Sequence, residues 1–212
     1  MHRLPLSSNK SNLLRLKEEL SFAREGHELL EEKKEALMAH IDSLSTKAQR
    51  LRATMERALA EAYGYLRGAL LAHGQLACER ASLATGAGEE VTVSERSFMG
   101  VALPVAHLSL PKLLPSYGFL ETGAWMDSTA RSVHRGLEVI AELAEIEVGL
   151  FRLVAEIKRT IKRINALENI YIPVYEATIK HIEGGLEEKE REFLFQLKRQ
   201  KGKRGDERDG FV

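Results

Sequence analysis

Apolar side chains recur along the first third of this chain with unusual regularity. Positions 16, 20, 23, 27, 30, 34, 37, 41, 44, 48, 51, 55, 58 and 62 step by four and three without a slip. They read Leu, Leu, Ala, His, Leu, Lys, Leu, Ile, Leu, Ala, Leu, Met, Ala, Ala, so twelve of the fourteen are apolar. A repeat of about 3.5 residues held this long is a coiled-coil seam, because a slight supercoil keeps the stripe facing a partner helix. Ser11 and Asn12 are the candidate N-caps. The helix is expected over residues 12–72, about 90 Å at about 1.5 Å per residue.

A second long helix is expected over residues 128–199, capped by Asp127 or Ser128. Its stripe reads Ile140, Leu143, Glu147, Leu150, Val154, Ile157, Ile161 and Ile164. It resumes at Ile172, Tyr175, Ile179, Ile182, Leu186, Lys189 and Phe193. From Ile164 to Ile172 the spacing is eight, one more than a heptad. Pro173 lies where the phase slips; it donates no N–H and crowds the preceding turn, so a kink is expected there. A full turn at this point would give a compact bundle instead. Helix formers flank the proline on both sides and no Gly, Asp or Ser run accompanies it, which favours one kinked helix.

Residues 73–127 differ in kind, with six glycines and prolines 104, 111 and 115. "EEVTVSERSFMGVALPVAHL" is β-branched and partly alternating, with Ser94 to Ser97 as polar punctuation, and predicts a short β-hairpin or two small strands. Residues 200–212 are polar and glycine-containing and are expected to be disordered. The fold class is therefore mainly α: a long antiparallel two-helix coiled coil with a short β-hairpin or irregular segment between the helices. Domain limits fall at 1–72, 73–127, 128–199 and 200–212. Both termini are expected at one end and the β segment at the other.

Composition fits this picture. Of 212 residues 29% are charged, 44% apolar and only 6% aromatic, a mixture suited to extended helices rather than a compact globule. Lys plus Arg equals Asp plus Glu at 31 each, so no general electrostatic pull toward nucleic acid or anionic membrane is expected. Cys78 is the single cysteine; it excludes an intramolecular disulfide, points to an intracellular compartment and reads as a packing residue. The opening "MHRLPLSSNK" lacks the apolar core of a signal peptide, and the apolar run at 101–115 is too short and too proline-broken to span a bilayer. A soluble protein is expected.

Chemistry is hard to find. "ATGAGEE" lacks the Lys-Ser/Thr of a P-loop, and there is no His-Glu-x-x-His, no Cys pair and no Gly-x-Ser-x-Gly elbow. No catalytic residue, cofactor site or metal site is expected. The candidates are contact residues. His27 and Lys34 stand on the seam one heptad apart, as a register device or a place where the helices splay, and Glu147 is a possible answering charge. Gly26 permits close approach of a partner backbone. Lys162 and Arg163, within the basic run "KRTIKR", suit a protein-binding face better than nucleic acid. Asn165, Glu168 and Pro173 complete the set around the phase slip. Trp125 is expected to pack the hairpin onto the helix base. Gly184 and Gly185 loosen the last helix by about 1 kcal/mol each relative to Ala.

"LLRLKEELSFAREGHELLEEKKEALM" (13–38) and "KRINALENIYIPVYEATIKHIEGGLEEKERE" (162–192) resemble the two signature ends of the D subunit of the V-type (V/A-type) rotary ATPases. "YGFLETGAWMD" (117–127) is similar to that family as well. Ser8-Asn9-Lys10 departs from the family's usual Pro-Thr-Lys/Arg, and Asn169 stands where the family is usually apolar. The resemblance implies a non-catalytic central rotor stalk at the cytoplasmic face of the membrane. It implies contact with catalytic head subunits A and B, with the F subunit of the stalk and with a funnel-shaped subunit on the membrane ring. Such a shaft couples ATP hydrolysis or synthesis to proton or sodium transport. The γ subunit of F-type synthases carries a larger α/β domain than residues 73–127 can supply. A prefoldin-like helix–hairpin–helix chaperone or scaffold is the alternative, although prefoldin chains are much shorter.

Overall fold

The computed structural model describes residues 3–84, 90–110, 117–118 and 122–209, with side chains described up to residue 199. Of the tail expected to be disordered, residues 200–209 continue helix α4 and residues 210–212 lie outside the described residues. In chain order the elements are α1 (Lys10–His73), α2 (Gln75–Ala84), β1 (Glu90–Phe98), β2 (Val101–Ser109), α3 (Ala124–Ala166), a π-turn (Leu167–Tyr171) and α4 (Ile172–Asp209). The fold is mainly α, with two long helical segments and one two-stranded antiparallel hairpin between them. The chain divides into two compact units: residues 1–34 with 159–212, and residues 35–158.

Helix α1 starts earlier than its expected caps. Asn9 Oδ1 accepts the Asn12 amide at 2.7 Å, so Asn9 takes the role expected of Ser11 or Asn12. The helix ends at Gly74, whose φ of +77° terminates it in the left-handed region that glycine favours. All fourteen positions of the α1 stripe are buried or half-buried. Helix α3 likewise begins at Ala124, ahead of Asp127 and Ser128.

The α3 stripe differs from expectation in one column. Leu143, Leu150, Ile157 and Ile164 face inward as read, but between them lie Ile146, Leu153 and Thr160 rather than Glu147, Val154 and Ile161. Leu153 and Thr160 are 0% and 1% exposed, whereas Val154 and Ile161 are each 38% exposed. Apolar residues occupy both columns at the level of Leu153 and Val154, so the pattern alone does not say which column the partner helix covers. Glu147 sits at the flank and takes the Arg52 guanidinium at 2.7 Å, rather than answering His27 or Lys34.

Within the unit of residues 35–158, Leu37, Val101, Leu103 and Leu153 form a core with Ile41, Leu44, Phe98 and Ile157 packed around it. Strand β2 supplies the inner face, while β1 is exposed almost throughout. Arg152 ties the hairpin down through Ala102 O at 2.7 Å and Glu95 at 3.1 Å. Met99 and Gly100, with φ of +49° and +82°, make a two-residue turn in which both central residues are left-handed. The Ser94–Ser97 punctuation therefore lies inside β1. Trp125 packs on α1 rather than on the hairpin. A Cβ placed on Gly68 would stand 2.7 Å from its Cε3, so glycine is what admits the indole. Cys78 packs beside Ala69, Ala81 and Met126.

Within the unit of residues 1–34 and 159–212, Leu16, Ile179 and Ile182 form the core. Three cross-helix ion pairs flank it: Lys10–Glu190 at 3.6 Å, Lys17–Glu183 at 2.7 Å and Arg24–Glu176 at 2.7 Å. One partner set rises by heptads while the other falls by heptads, which is the signature of an antiparallel coiled-coil pair. Ser8 approaches Gly185 closely enough that a Cβ there would meet its Oγ at 2.8 Å, and Lys189 donates to Ser8 O at 3.0 Å. Gly185 thus has a packing reason to lack a side chain.

Candidate functional site

The phase slip read from the sequence has a definite structural form. The Ile172 amide donates to Leu167 O, five residues back, and the residues on either side of the π-turn, Ala166 and Ile172, both keep right-handed helical angles. A π-turn spends one residue more than an α-turn, so it absorbs the extra residue between Ile164 and Ile172 while the helix continues. Pro173 follows one residue later and lacks the N–H that a regular ladder would need. The Asn169 side-chain amide donates to Asn165 O at 3.1 Å, giving that carbonyl a partner of its own.

The π-turn carries no buried residue; Leu167 is half-buried and its other four residues are exposed. Beside it runs an apolar groove of about 530 Å³. Phe22, Gly26 and Leu30 of α1 line one wall, and Leu167, Tyr171 and Tyr175 line the other. Phe22 is 78% exposed and Tyr171 50%. Apolar surface this open on a helix pair marks a place where something else packs.

The residues singled out by sequence distribute around this face unevenly. Gly26 lines the groove, and a Cβ added to it would meet nothing within 4 Å, so packing inside the chain does not require glycine there. His27 is half-buried and its Nε2 is buried without a partner. Lys34 is paired with Glu31 on its own helix. Lys162, Arg163, Asn165 and Glu168 are exposed, the last within the π-turn, and Pro173 is half-buried in the first turn of α4. The structure therefore joins Gly26 and the π-turn in one face, and leaves Lys34 in a local ion pair. Sequence reasoning misses Phe22, Leu29 and Tyr171 because they lie off the seam. A signal for them is present all the same: Phe22 and Leu29 are large apolar residues at positions the heptad assigns to solvent.

No His, Cys, Asp or Glu cluster able to hold a metal occurs among the described residues. Among those residues, no helix is long and apolar enough to cross a membrane. What this face offers is shape, apolar area and charge, the means of binding another protein.

The family model for the ATP synthase D subunit matches residues 12–202. The chain belongs to the ATP synthase D-subunit family. Among its curated relatives, the D subunit of the A-type ATP synthase of Methanopyrus kandleri is 38% identical over 200 residues, covering 92% of this chain and 85% of the relative. The A-type D subunits of Pyrococcus horikoshii and Thermococcus sibiricus are 37% and 36% identical over 201 residues, each comparison covering 93% of this chain and 94% of the relative. As a member of that family, the chain works as one component of an ATP synthase complex and packs against other subunits of it. The open face around the π-turn is a surface available for such packing.

Proposed function

We propose that this chain is the central shaft of a rotary ATPase of the V/A type, a non-catalytic subunit that couples ATP turnover in a catalytic head to ion transport across the membrane. In this reading it acts at the cytoplasmic face of the membrane. It contacts head subunits A and B, the F subunit of the stalk and a funnel-shaped subunit on the membrane ring. Membership in the D-subunit family supports the complex, and the physical character of the helices supports the role. A torque-bearing element must resist sliding of its strands. The heptad-spaced pairs Lys17–Glu183 and Arg24–Glu176, beside the buried Leu16, Ile179 and Ile182, provide that resistance.

The observation that carries the proposal is the exposed face of Lys162, Arg163 and the π-turn, which the chain leaves uncovered. In this reading Lys162 and Arg163 meet acidic loops of the head, while Gly26, His27, Asn165, Glu168 and Pro173 shape the contact around them. Replacing Lys162 and Arg163 by Ala in a reconstituted complex is expected to lower ATP-driven ion transport several-fold while the subunit still assembles. Unchanged coupled turnover would contradict the assignment.

A further inference from the structure

Between Ile164 and the core residue Ile179 the buried column slips by one residue. Ile164 and Ile179 are both buried and lie fifteen residues apart, one more than two heptads. Nothing in the π-turn between them is buried, so the additional residue fills no core. Natural helices commonly retain such a bulge at positions that serve function. Four features converge here. The turn is bonded over five residues instead of four. Pro173 removes a backbone donor immediately after it. The groove beside it leaves space for Leu167 and Tyr171 to shift. Thr160 and Ile164 on one side, with Thr178, Ile179 and Ile182 on the other, are buried and pin the helix in place.

We infer that the π-turn is a winding joint: a five-residue segment that opens and changes its local twist while the flanking pinned turns stay packed. Local opening is cheap where apolar burial is low and a backbone donor is missing, and in this stretch the two conditions meet. Asn169 limits the opening by holding Asn165 O, so the joint yields without unravelling the turn before it. Within the shaft reading, on which only this use rests, the joint lets twist accumulate between the two pinned regions during a rotary step. The joint itself is a property of the chain and is tested on the chain alone.

Hydrogen exchange on the full-length protein tests it. Amides of residues 168–172 are expected to exchange about a hundredfold faster than those of 160–164 and 178–182. Deleting Asn169 restores an unbroken heptad count and is expected to slow exchange there to the level of the flanks, with helicity retained. Pro173→Ala, which restores the missing donor, is expected to slow it several-fold and decides the matter if the deletion variant does not fold. Equal protection of the π-turn and its flanks in the natural sequence would overturn the inference. So would unchanged exchange in the folded variants. A joint that passes this test in a chain that proves not to rotate would leave the inference standing and remove only its use.

Discussion

The two compact units of the chain solve one problem in different ways. In residues 35–158 the helices share their core with a third element. Val101 and Leu103 of the hairpin close over Leu37 and Leu153. In residues 1–34 and 159–212 no sheet is present among the described residues, and a narrow core of Leu16, Ile179 and Ile182 is framed by ion pairs at heptad steps. Uncovered apolar surface remains in both. Where the hairpin packs, β2 covers part of the helix pair, while Met38 and Phe151 stay 50% and 78% exposed. Around the π-turn, Phe22, Leu29, Ile170 and Tyr171 are each at least 50% exposed. The difference lies in what closes the core: a strand in one unit, and only helices and the N-terminal segment, among the described residues, in the other.

Opening the sealed core should do the most damage. Leu37→Ala removes a fully buried side chain that touches both helix and hairpin, and is expected to cost about 2–5 kcal/mol. Hydrogen exchange should show the loss in residues 35–158 and little change in the other unit. Gly68→Ala comes next, because its methyl collides with Trp125. The gain in helix propensity offsets part of the collision, leaving a net cost of about 1 kcal/mol and a change in Trp fluorescence. Glu183→Gln weakens the charge ladder of the other unit by less than about 1 kcal/mol, because both partners are about half exposed. That loss should shrink further in high salt, whereas the Leu37 effect should not.

Alkaline titration probes the hairpin-bearing unit with the smallest disturbance. Burial, and then the 2.5 Å bond that the hydroxyl donates to Asp127, push the Tyr117 phenol up to about 12. A pKa raised on folding stabilises the fold while the group is protonated. The contribution is therefore complete below pH 10 and is lost as pH rises from 10 toward 12. Absorbance titration should find one late-ionising tyrosine that Tyr117→Phe removes, with the pH dependence of unfolding reduced over the same interval.

Much of this architecture is legible in the sequence because the α1 stripe runs through fourteen positions without losing phase. The α3 stripe is less so. Leu153 and Val154 are adjacent and both apolar, and only the partner helix decides which is covered. The hairpin is visible as β-branched sequence, but its turn is not, since Met99-Gly100 is a weaker signal than the serines at 94 and 97. Helix α2 has no clear signal of its own, because its ten residues follow Gly74 directly and merge with the connecting segment. At the candidate site, the extra residue and Pro173 announce an irregularity, while the five-residue bond that resolves it depends on how the whole helix is pinned. The groove is harder still to read, because it requires knowing that nothing among the described residues of its own unit covers Phe22 and Tyr171.

If this chain is a shaft, it turns against a stationary head, and single-molecule rotation observes that motion itself. A probe attached through Ser94→Cys on the exposed strand β1, in a Cys78→Ser background, would report motion in a complex immobilised by its head. Continuous, one-directional rotation of the probe is expected on addition of ATP. A probe that stays still while the same complexes hydrolyse ATP would contradict the shaft role.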